Sequence, residues 1–149
     1  MTAHVPALEA LGTETRILLL AAGVVFTWAL LLGVQKYVQI LGSAEGAAHI
    51  YTDIAHRAAL LYSFALLLIA VFAELSDWAW QVDLIAGLVQ VLFFVSAIGS
   101  YQVHGLRRDT DNQMRHPGGP LQVFMIALII GEIGGFLVLL AGFVHAWAG

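Results

Sequence analysis

The chain has 149 residues, of which 60% are hydrophobic and only 11% charged, against roughly 25% charged residues in a soluble domain. Its net charge of −4 comes from six Lys and Arg set against ten Asp and Glu, too few cations for a nucleic-acid footprint, and the absence of cysteine excludes disulfides, thiolate metal sites and iron–sulfur clusters. One domain fills this length, and so apolar a chain cannot cover itself with a polar surface in water. It reads as an all-α membrane protein, an antiparallel bundle of four transmembrane helices.

The first apolar stretch, about residues 16–36, follows a leader that holds Glu9 and Glu14. It lacks the basic n-region of a signal peptide and is expected to stay as a helix. The second is expected over 54–74, after a lead-in (41–53) less polar than a plain loop, the third over 84–105 and the fourth over 121–147. About 20 residues cross ~30 Å of hydrocarbon. Helices are required because lipid offers the backbone no partner, and the alternating pattern of a barrel is missing. The short link 75–83 makes helices two and three a tight hairpin. It carries Trp78 and Trp80, which with Trp147 form an interfacial aromatic belt. The link before helix four, GLRRDTDNQMRHPGGP, is polar and ends in turn-forming residues. Lys36, Arg57, Arg107, Arg108 and Arg115 fall on one side and Arg16 alone on the other. The positive-inside rule therefore places connections 37–53 and 106–120 in the cytoplasm and both termini outside; the membrane expected is a bacterial inner membrane.

In lipid the informative residues are the polar ones. Glu45, His49, Asp53 and His56 share one helical face if helix two extends back through them, and Ser63 continues it; Asp53 and Arg57 can pair instead. Helix three carries Gln90, Ala97, Tyr101 and His104 on one face and ends where helix two begins, so His49 and His56 are expected to meet Tyr101 and His104. His116 falls on this side too, whereas His4 and His145 lie on the other. Such a pocket suits either of two cofactors. A transition metal would take His56, His49 and Asp53, and a haem would take an axial ligand from His56, the best placed, or from His49 or His104. Glu132 stands near the middle of helix four, where a charge costs at least ~2.5–3.5 kcal/mol. It is either a proton-relay or ligand-binding carboxyl, within reach of Gln90, or a neutral group bonding across a helix interface. Ala127, Gly131 and Gly135 form a small-residue row that admits a neighbouring helix, either helix three or another subunit. No nucleotide, hydrolase, zincin or c-type haem motif occurs, and paired broken helices of a transporter are absent.

The segment DIAHRAALLYS, with Ala55-His56 at the start of helix two and a polar patch ending helix three, resembles the small four-helix membrane isomerases, the styrene oxide isomerase and hydroxylaminobenzene mutase group. The resemblance implies haem b at the edge of the bundle, with His56 as axial ligand and the iron as Lewis acid toward a small lipophilic aromatic substrate. It also implies Tyr101 as the phenol beside the substrate, and a homotrimer. Where that group has an asparagine about two turns into helix two, this chain has Tyr62 and Ser63.

Three functions follow as expectations. The first is an isomerase or mutase that uses a haem or metal, with Tyr101 and Glu132 as catalytic residues. The second is a non-catalytic subunit or assembly partner in a larger membrane complex. The third is a proton- or ion-conducting element built on Glu132 and Gln90.

Overall fold

The computed structural model describes residues 9–115 and 117–149. It contains four long helices, each apolar enough to cross a membrane: α1 (Thr13–Leu41), α2 (Ile50–Glu74), α3 (Trp80–Arg107) and α4 (Gly119–Ala148). No strand occurs among the described residues. At ~1.5 Å per residue each spans about 37–45 Å, more than the hydrocarbon needs.

The helices outrun the apolar stretches because their polar ends find partners. α1 continues past residue 36 to Leu41. There the Gln39 side chain donates to the Gly105 carbonyl at 3.2 Å and accepts from the His49 amide at 3.0 Å. The chain then turns through Gly46, whose φ of +64° suits a residue with no Cβ. α2 starts at Ile50, earlier than the expected 54, with His49 as its cap: Nδ1 accepts the Tyr51 amide at 3.3 Å. α3 ends on Arg108 in the left-handed conformation.

The core lies among α1, α2 and α3, around the fully buried Leu18, Leu32, Leu66 and Ile98. Buried alanines at 55, 59, 70 and 73 let α2 pack closely on its neighbours. α1 and α3 are also joined by an amide ladder. Trp28 Nε1 donates to Gln102 at 3.0 Å, and Gln102 donates to Gln35 at 3.2 Å. α4 packs on the outside of this core and enters it through Leu139, with Gly142 its other buried residue. Gly131 faces Phe93, and a Cβ on Gly135 would lie 2.8 Å from the Ala86 carbonyl. The small-residue row thus serves helix three within the chain. Phe72 ties the second half of α4 to α2 through edge contacts with Phe136 and Phe143.

Candidate functional site

The structure divides the expected pocket into three places. The first is the end of the bundle where α1 and α3 finish and α2 and α4 start, here called the basic end. His49, Tyr101 and His104 do gather there, but through a residue the sequence reading passed over. Tyr51 is buried, and its ring stacks on His49 at 6.2 Å, on Tyr101 at 5.9 Å and lies 5.4 Å from His104. Its hydroxyl accepts the Gln113 amide at 2.8 Å, pinning the last connection over the bundle. His104 Nδ1–H donates to Asp109 at 2.7 Å, and this bond holds the Asp109 carboxyl below its ordinary value. Nothing in the sequence marks Tyr51, whose role depends on a helix that starts at Ile50, ahead of the expected 54.

The second place is the seam between α1 and α2. His56 turns into it and away from Tyr101. Its Nδ1 lies 2.9 Å from the Ala29 carbonyl, and its ring packs on Gly33, where an added Cβ would stand 3.0 Å from Cε1. A carbonyl only accepts, so Nδ1 carries a proton, and in the neutral ring Nε2 then keeps its lone pair. Nε2 makes no hydrogen bond among the described residues. At the mouth of the seam Asp53 sits between Lys36 at 2.6 Å and Arg57 at 2.9 Å.

These partners already engage the residues of the expected metal set. α2 begins at Ile50, so Glu45 and His49 lie off the helix that carries Asp53 and His56. His49 is spent on capping, Asp53 on two cations and His56 Nδ1 on a backbone carbonyl. Among the described residues no three His, Cys, Asp or Glu side chains converge as a metal site. His116 and His4 lie outside the described residues, and His145 pairs with Asp77 at 3.0 Å at the opposite end.

The third place is a cleft of about 300 Å³ on the other side of α2, lined by Ile54, Arg57, Ala58, Leu61, Tyr62 and Tyr101. Ala58 lies roughly 200° around the helix from His56, so seam and cleft occupy opposite faces of α2. Tyr62 is held by a parallel stack on Phe94 at 4.1 Å. The Glu132 carboxyl from α4 is within electrostatic range of both Tyr62 and Tyr101. Glu132 Oε1 is buried with no hydrogen-bond partner, and neither phenol hydroxyl has one among the described residues. Gln90 does not reach Glu132; it bonds Ala86 of its own helix at 3.2 Å. Two helices therefore bring two unspent donors to one cleft, and α4 places an unspent carboxyl near enough to influence both phenols. Unsatisfied polar groups in such surroundings are costly, and their convergence in a pocket is the mark of a ligand site.

No protein-family model, curated protein or solved structure matches the chain.

Proposed function

We propose that the protein is a membrane-embedded isomerase that acts on a small lipophilic aromatic molecule with the help of haem b on His56. The observation that carries this reading is the His56 ring. A ligating histidine usually donates its second N–H to a carbonyl or carboxylate, which fixes the tautomer and aims the free nitrogen. His56 already has that arrangement with Ala29. A single imidazole of this kind fits a haem, whose other equatorial ligands are its own, and does not fit a bare metal ion. When bound, the haem would supply a Lewis-acidic iron.

The cleft is the substrate's place in this reading. Its volume suits one aromatic ring with a short substituent. The Tyr101 and Tyr62 hydroxyls orient an oxygen or nitrogen of the substrate by donating to it, and Glu132 holds or takes a proton at the same centre. Tyr62 takes the place of the asparagine found in the resembling group, with a donor of different reach. Because His56 and the cleft lie on opposite faces of α2, a complete centre requires two copies, the His56 face of one against the cleft of the next. The trimer implied by the resemblance would provide this. The basic end faces the cytoplasm of a bacterial cell in this reading.

Purified in detergent and supplied with haem, the protein should show a Soret band that His56→Ala abolishes. Tyr101→Phe should keep the band and lower turnover. A chain that takes up no haem would end this reading.

A second reading, a non-catalytic subunit of a larger complex, is favoured by the sparse burial of α4. Gly131 is already covered by Phe93, whereas Gly134 has open space where its side chain would be. Gly134→Leu should then abolish co-purification with the partner while leaving the bundle intact; unchanged recovery counts against it.

A further inference from the structure

The haem reading leaves unstated which end of an asymmetric ligand faces which way, and the α1–α2 seam answers this. We propose that Lys36 and Arg57 form the carboxylate-binding end of the seam, receiving the two carboxylates of haem b. This inference rests on the haem reading above and adds to it a charge-reading pair of residues.

The seam has three levels. At the basic end stand Lys36, Asp53 and Arg57. About 4.5 Å deeper on α1, three residues before Lys36, Gly33 meets the His56 ring. Roughly 10 Å deeper again an apolar hollow of about 250 Å³ opens, bounded by Gly23 and Phe26 on α1 and by Phe64 and Leu67 on α2. Phe26 and Phe64 close it with an edge contact at 6.1 Å. Polarity thus falls along the seam from charged through imidazole to hydrocarbon.

The charged level carries one more cation than anion. Asp53 takes one contact from each neighbour, yet a guanidinium has five donors. The Arg57 side chain is 64% exposed and uses one nitrogen on Asp53. Arg57 also borders the cleft, so it stands on the outer surface of α2 and can swing to either side; Lys36 belongs to the seam alone. A macrocycle with two carboxylates on one edge cannot turn that edge into hydrocarbon without a large penalty. Held on His56, such a group would have one favourable place for its anionic edge, beside Lys36 and Arg57, and would turn its apolar edge toward the hollow. Asp53 is then the group that opposes binding, since it competes for both cations.

The test compares ferric haem with its dimethyl ester, which has the same ring and no free carboxylates. Both are titrated into the full chain in detergent and followed by the Soret band. The unaltered chain should bind the free acid more tightly than the ester. Lys36→Met and Arg57→Met should each weaken the free acid by about fivefold, the upper end for a partly exposed ion pair, and leave the ester unchanged. Asp53→Asn should tighten the free acid alone, an effect of opposite sign that damage to the fold cannot mimic. Ester binding in each variant reports that the seam is intact; if Lys36→Met loses it, Arg57→Met and Asp53→Asn decide. Equal changes for acid and ester, or none for either, overturn the assignment of Lys36 and Arg57 while leaving haem on His56 in place. Failure of the unaltered chain to bind either compound overturns the haem reading, and this inference with it.

Discussion

The two faces of α2 carry polar groups of similar chemistry in opposite states. Toward α1, His56 Nδ1, Asp53 and Lys36 have partners at 2.9 Å or closer. Toward the cleft, Tyr62, Tyr101 and Glu132 have none. Polar pairing between membrane helices contributes to their association, so the seam groups hold the bundle together. The cleft hydroxyls and carboxyl add no such pairing, although the tyrosine rings stack, and left unpaired they cost stability where they stand. A polar residue in a span is therefore informative through its unspent valence, more than through its presence.

Four measurements break or sharpen that contrast. The largest effect should come from Leu66, fully buried in the shared core. Leu66→Ala should lower the unfolding free energy in mixed micelles by about 2–5 kcal/mol; a negligible loss would show that the two faces are not backed by one core. Next, Gly33→Leu forces side-chain volume against the His56 ring and should cost about 1–3 kcal/mol. It should also shift the His56 imidazole resonances as the Ala29 bond is lost.

On the other face the sign reverses. Glu132→Leu should raise stability by about 1–3 kcal/mol, because an unpartnered carboxyl is replaced by an apolar side chain, and on the proposed isomerase reading it should also abolish turnover. A destabilised variant would mean that Glu132 has a structural partner and that the contrast is misdrawn. The smallest effect belongs to the exposed Asp109–His104 bond at the basic end. Asp109 is held below its ordinary value of 3.8 in the folded chain. Its contribution is complete above 3.8 and is lost as pH falls through the depressed value. Protease cleavage within 108–118 should rise on acidification through that range, and Asp109→Asn should flatten the response; an unchanged profile would remove the bond from any role in holding the connection.

The four spans were legible because their apolar runs are long and unbroken, which is what lipid requires. Their ends were not. Gln39 and His49 look like loop residues until each is seen to satisfy the other's segment across the turn at Gly46. Helical spacing put His49, Asp53 and His56 on one face, but spacing cannot report that the helix begins at Ile50. It also cannot report which neighbour His56 will meet, since that depends on where α1 lies. Glu132 stood out by its depth and Tyr101 by its place on the polar face of helix three. Tyr62 did not, because an aromatic in an apolar run is ordinary, and only its stack on Phe94 and its unpartnered hydroxyl distinguish it.

The amide ladder of Trp28, Gln102 and Gln35 has a consequence for biogenesis. It links the first span to the third, so none of its bonds can close until the third has left the insertion machinery. During synthesis the first two helices therefore meet with those amides still unfulfilled, joined only along the seam between them. The arrival of α3 closes the ladder, making the α1–α3 latch the step that adds the third span to a helical hairpin already in register.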